Sequence, residues 1–256
     1  MTSAFGHILK YWRETRRFSQ LALSLEAGMS SRHLSFLETG RSKPSRETVL
    51  RLARTLDMPR ATTNEALKAA GFSAEFSALA LTDTQLEPAF EAINTILENH
   101  APMPAIVIDE GWMIVGGNQP ALAMLEILPF KGSMCIVDAL LNDDPSAPTF
   151  LNWETIAIWT LLRLQSEAAK AGADSKIYAL YQRFSNHSRV RETNRVSFSE
   201  YGPVLTMMCH TDNTDLALFT MMVEFSTVQD ITMGERRVEL FFPADDVTRS
   251  YFESRF

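Results

Sequence analysis

Residues 28–40 read GMSSRHLSFLETG. Two glycines bracket a segment in which Ser30 can cap a helix and Leu34 and Leu37 fall on one face. A helix that only fills space has no reason to gather Ser31, Arg32 and His33 in its first turn behind that cap. A helix that meets a polar surface end-on has one.

Reading outward from this segment gives four more short helices. Upstream, Ile8, Leu9 and Trp12 share one face of a helix over Phe5–Arg16. Ser19 caps a second helix through Leu25 and Glu26, with Leu21 and Leu25 one turn apart, and Gly28 ends it by admitting positive φ. Downstream of RSKP, Ser45 caps a fourth helix that turns Val49, Leu52, Ala53 and Leu56 inward. Thr62 and Glu65 have the spacing of a capping box for a fifth, ended by Gly71. Helix two, a glycine turn and helix three form a candidate helix-turn-helix, a motif whose second helix lays its first turn in the DNA major groove.

The charge pattern agrees with that reading. The 256-residue chain carries a net charge of −7. Residues 1–72 hold 12 Lys/Arg against 6 Asp/Glu, while the rest holds 12 against 25. A basic head on an acidic body is the pattern of a protein that meets nucleic acid through its head alone. The N-terminal MTSAFGHILKYWRETRR lacks the apolar core of a secretory signal, and no apolar run is long enough to span a membrane. Cys135 and Cys209 are too few and too far apart for a disulfide framework. The expectation is a cytoplasmic protein without membrane contact.

The stretch FSQLALSLEAGMSSRHLSFLETGRSKPSRETVLRLARTLDMP resembles the Cro/phage-repressor (XRE) class of helix-turn-helix. Ser19-Gln20, Leu23, Gly28, Leu34, Glu38, Gly40 and Pro44 all fall at that class's spacing. The resemblance implies that Gln20 touches backbone phosphate at the start of helix two. It implies a groove-facing surface of Ser30, Ser31, Arg32 and Ser35, with Arg41 and Lys43 on phosphate beyond the helix. Chemistry gives these unequal roles: an arginine can grip guanine O6 and N7 bidentately, whereas serines fix register on phosphate. Glu38 fits a scaffold brace, against Arg13 or Arg51, better than a DNA contact. One short recognition helix makes few base contacts, so a homodimer on a near-palindromic operator is expected.

Beyond a junction at 73–83, the body at 84–256 opens with a helix capped by Thr84 and Glu87, with Leu86, Phe90, Ile93 and Leu97 at helical spacing. Two strands follow around the turn at Asp109–Gly111. Helices are expected near 119–128, 134–142, 152–171 and 174–187. Strands are expected near 196–199, 203–211, 216–225 and 236–242, with a short helix after FFPADD. The stretches PAIVIDEGWMIVGGNQPAL, FLNWETIA and VELFFPADDVTRSYF resemble the MmyB-like ligand-binding domain that follows such heads in bacterial regulators. That resemblance implies a PAS-like α+β domain, with an antiparallel sheet and helices, behind the all-α head of five helices. It implies a one-component transcription factor that senses an apolar, fatty-acid-like or acyl-type small molecule.

The residues themselves leave the pocket open to two readings. Strands VLTMMCHT and LALFTMMVEF are apolar on both faces, so one face needs a ligand, a helix or a second subunit. Met207 and Met221 could line an adaptable pocket, or they could be plain core. Trp153 and Trp159, on a helix with Phe150, Ile156 and Leu162, carry the same ambiguity. Asn118 and Asn152 are candidates for polar groups closing such a cavity, and equally for helix caps. The basic run SNHSRVRETNR (185–195) is read as a solvated loop, with anion binding as the alternative.

Enzymatic chemistry finds little support. No glycine-rich phosphate loop follows a strand, and Ser175 beside Lys176 does not fit the geometry of a self-cleaving Ser–Lys pair. Cys209 and His210 point to opposite faces of a strand, which disfavours a shared metal. No catalytic residue, metal or cofactor is expected. The competing function is a repressor whose body only dimerises or binds a protein partner.

Overall fold

The computed structural model describes residues 3–193, 204–211, 214–225 and 230–256. The chain divides into two compact units. One holds the residues up to Ala78 together with Glu167–Ser175; the other begins at Leu79 and holds most of the remainder.

The first unit contains α1 (Ala4–Thr15), α2 (Gln20–Glu26), α3 (Ser31–Glu38), α4 (Arg46–Thr55) and α5 (Arg60–Ala69). Serines start four of them. The Oγ atoms of Ser3, Ser19, Ser30 and Ser45 accept from the amides of Gly6, Ala22, His33 and Thr48. Each cap satisfies an amide that has no partner inside its helix. The fifth helix departs from expectation: it begins at Arg60, directly after Pro59, with no side-chain cap. Thr62 is therefore inside its first turn and does not cap it. Leu21 and Leu25 are 62% and 72% exposed, and α2 instead buries Leu23 and Ser24.

Leu9, Trp12, Leu34, Leu37, Leu52 and Leu67 anchor the core of this unit. Two glycines are required by geometry. Gly28 has φ 62° and turns the chain between α2 and α3. At Gly6, α1 passes so close to the end of α3 that a Cβ would lie 2.3 Å from the Glu38 carbonyl oxygen. In the same unit, the guanidinium of Arg16 donates to the carbonyls of Leu56 and Asp57 and to those of Ala169 and Lys170. A cation there answers the unpaired carbonyls of helix C-termini.

The second unit starts with a 3-10 turn (Thr84–Leu86), begun by Asp83 rather than Thr84, that runs into α6 (Glu87–His100). Next come β1 (Ala105–Ile108), β2 (Ile114–Gly117), α7 (Gln119–Ile127), α8 (Ile136–Asn142) and α9 (Trp153–Ala171), whose residues from Glu167 onward are counted with the first unit. Then follow α10 (Lys176–Ser185), α11 (Ser188–Thr193), β3 (Met207–His210), β4 (Asp215–Glu224), α12 (Ile231–Gly234), β5 (Arg237–Pro243) and α13 (Asp246–Glu253). The strand expected near 196–199 lies outside the described residues, as does Arg195.

The described strands form one sheet in the order β2-β1-β5-β4-β3, with every neighbouring pair antiparallel. Its register places Glu239 of β5 opposite Ile106 of β1 and Met222 of β4. Ala105, Val107 and Val238 pack with Leu86, Ile93 and Leu97 on one face. Because strand residues alternate, Ile106, Glu239 and Phe241 turn to the opposite face.

The basic run at 185–195 is not a solvated loop over its described part. Residues 188–193 form α11 and bury Val190. Arg189 ion-pairs with Asp143 at 3.4 Å and lies 3.7 Å over the Trp153 ring. The run is amphipathic, and its one buried apolar residue is masked by charged neighbours.

Candidate functional site

Two surfaces carry functional geometry, one in each unit. In the first unit, Ser30 and Arg32 are exposed at the start of α3, and Arg41 and Lys43 are exposed beyond its end. The guanidinium carbon of Arg32 lies 5.3 Å from the centre of the Phe36 ring, a cation–π contact that rests the exposed side chain along the helix. Ser35 is half-buried one turn further along the helix.

The two other candidates there already have partners. Ser31 Oγ is 2.9 Å from Ser24 Oγ and ties α3 to α2. Gln20 Nε2 donates to Glu38 Oε2 at 2.7 Å. Glu38 is buried and takes Arg13 Nε at 2.6 Å, so it braces α3 against α1. That carboxylate holds the Arg13 guanidinium pKa above its ordinary value.

In the second unit, a cavity of about 260 Å³ opens between α9 and the sheet face that carries Glu239. Its wall is largely apolar, with Trp112, Met124, Phe130, Ile156 and Met207 among the contributors. Ile156, Trp159, Thr160 and Arg163 reach it together because their spacing puts them on one face of α9. Trp112 sits at φ 59° in a turn braced by Asp109, whose Oδ1 accepts from the amides of Gly111 and Met113. A bulky residue in the left-handed region is a costly conformation, held here where the indole forms cavity wall.

Of the five residues singled out for a ligand, only Met207 lines this cavity. Asn118 caps α7 by accepting from Ala121 and Ala105, and it donates to the carbonyls of Leu97 and Met103. Asn152 spans the carbonyl of Thr206 and the amide of Met208, which binds β3 to the start of α9. Trp153 is buried, with its indole donating to the Leu140 carbonyl. Met221 is 58% exposed, outside the cavity. The polar groups of the wall are instead Thr160, Thr220, Arg163 and Glu239.

Arg163 Nη1 donates to Glu239 Oε1 at 3.1 Å, and its guanidinium lies 4.4 Å over the Trp112 ring. The indole nitrogen of Trp159 is buried without a hydrogen-bond partner among the described residues. Trp159 was among the residues left between pocket and core, whereas Arg163 and Glu239 were not singled out, although two signals were present. The i, i+3, i+4, i+7 pattern at Ile156–Arg163 puts an arginine on an apolar helix face. An acid interrupts the apolar run VELFF. Cys209 and His210 part as strand neighbours do. Burial pushes the Cys209 thiol up to about 12, while exposed His210 pairs with Asp215 at 2.6 Å.

Residues 90–254, more than half of the chain, match the family model described as MmyB-like transcription regulator ligand binding domain. Residues 4–66 match a helix-turn-helix domain. No curated protein matches the chain. Among solved structures, it is similar to an RNA-binding light-oxygen-voltage receptor at 11% identity and a TM-score of 0.29, over 97% of this chain. The chain spans 62% of that receptor's length. Among the described residues, no helix is long and apolar enough to cross a membrane.

Proposed function

The chain belongs to the family of transcription regulators that carry an MmyB-like ligand-binding domain, here behind a DNA-binding helix-turn-helix, and from that premise we propose a cytoplasmic one-component sensor of an apolar acyl-type compound. The head acts as an XRE-type reader. Arg32 contacts a base edge, and Ser30, Ser31, Ser35, Arg41, Lys43 and Gln20 hold the helix in register on groove and phosphate. Two copies bind a near-palindromic operator.

The observation that carries the sensor reading is the apolar cavity between α9 and the sheet, inside the residues that match the ligand-binding family. A concave, apolar wall with a few converging polar groups is the usual form of a small-molecule site. Filling it stabilises whichever arrangement binds the ligand better, so a ligand can alter DNA binding only through that difference. Native mass spectrometry of protein purified from its own host tests the reading. A co-purifying apolar compound supports the sensor. Persistently empty protein overturns it in favour of an assembly domain.

A further inference from the structure

Resting on the reading of this cavity as the ligand site, we propose that it selects a ligand with an uncharged polar group, such as an amide, ester or alcohol, over a free carboxylate. The polar end of the wall decides this. Arg163 and Glu239 line the cavity and are paired at 3.1 Å, with Glu239 buried on the central strand β5. The arginine's charge is thus already answered by the protein's own carboxylate. A ligand carboxylate arriving there would lie beside Glu239 and compete with it for Arg163, a like-charge encounter within a largely apolar wall. Arg237, two positions away on the same strand face, has interactions of its own and is not part of the cavity wall.

An uncharged group meets the opposite situation. Thr160 and Thr220 offer hydroxyls that both donate and accept. Trp159 forms part of the same wall, and its buried indole N–H lacks an acceptor among the described residues. Buried donors are nearly always satisfied, so an indole N–H with no acceptor among the described residues, on a residue of the cavity wall, suits an acceptor carried by the ligand. Trp159 and Arg163 lie one turn apart on α9, so an acceptor at the indole also lies near the paired charges. An amide or ester carbonyl supplies that acceptor without adding charge, and the alkyl chain fills the apolar remainder.

Calorimetry on the full chain with three probes of equal chain length, decanoate, decanamide and decanol, tests the proposal. Decanamide and decanol are expected to bind at least about tenfold more tightly than decanoate. Glu239→Gln frees Arg163 from its carboxylate, so the variant is expected to gain affinity for decanoate and narrow or reverse the order. Trp159→Phe is expected to weaken decanamide binding. Decanoate binding as tightly as decanamide to the unmodified chain overturns the head-group selection and leaves the cavity reading intact. Failure of all three probes to bind overturns both.

Discussion

Arg13 Nε lies 2.6 Å from Glu38 Oε1 in the core of the first unit, with Glu38 only 3% exposed. The pair joins α1 to the far end of α3, and Gln20 completes it from α2. A buried pair holds position strongly because removing one partner strands the other charge. Arg13→Leu is therefore expected to cost about 3–5 kcal/mol, and Arg13→Leu with Glu38→Leu distinctly less. Urea unfolding of the two variants checks this; equal losses would mean that the pair does not act as a unit.

The exposed arginine and lysine around α3 are expected to fail differently. Arg32→Ala should weaken operator binding and relax preference at one base pair. Lys43→Ala should weaken all sequences alike and lower the salt slope by about one. Binding titrations at several salt concentrations, on matched and mutated sites, separate the two. An unchanged base preference in Arg32→Ala would remove that residue from the groove.

Ala139 lines the cavity and is buried, whereas Met221 lies outside it. Each methylene of a bound chain contributes about 0.8 kcal/mol, so affinity should climb with chain length until the space ends. Ala139→Leu takes up part of that space and is expected to shorten the longest chain accepted. Met221→Ala is expected to leave the series unchanged. Calorimetry over a series of primary amides reads both, and a shift in Met221→Ala alone would place the ligand elsewhere.

Glu235 provides a pH test of the second unit. Burial first, and then the neighbouring Glu110 carboxylate, raise its pKa to about 7, and Glu110 in turn is bridged by Lys176 at 2.5 Å. The folded protein thus holds this proton more tightly than the unfolded chain does. The resulting stabilisation is complete below the ordinary carboxylate range and is lost as pH rises from about 4.5 through about 7. Melting temperatures from about pH 5 to about pH 8 should fall less steeply in Glu235→Gln than in the unmodified chain. Parallel profiles would contradict this.

The head was legible because its signals are local. Serine caps and glycine turns punctuate the sequence at the helix boundaries, and Val49, Leu52, Ala53 and Leu56 fall inward as their spacing requires. At α5 a backbone rule outranks a side-chain one: Pro59 precedes its first residue, and the Thr62–Glu65 spacing has no cap to make. The close pass at Gly6 depends on α3 arriving from elsewhere, which no local pattern announces.

The cavity was harder to read for the same reason. Arg163 and Glu239 are far apart in sequence and meet only because α9 packs over β5. Asn118 and Asn152 stand beside aromatic-rich segments, as cavity groups would. Their hydrogen bonds go to backbone that the fold brings in from several other segments. Met221 shares its strand with cavity-lining Leu218 and Thr220, and exposure along β4 changes with what covers it.

The proposed function requires that occupancy of the cavity set the affinity of the helix-turn-helix for DNA. Its most direct test takes the apolar compound that co-purifies with the protein and an operator selected from a pool of random sequences. Operator affinity is measured on stripped protein and on the same protein reloaded. A difference of about fivefold or more between the two, in either direction, is expected, with its loss in Ala139→Leu if the compound no longer fits. Equal operator affinity with the cavity filled and empty would contradict it.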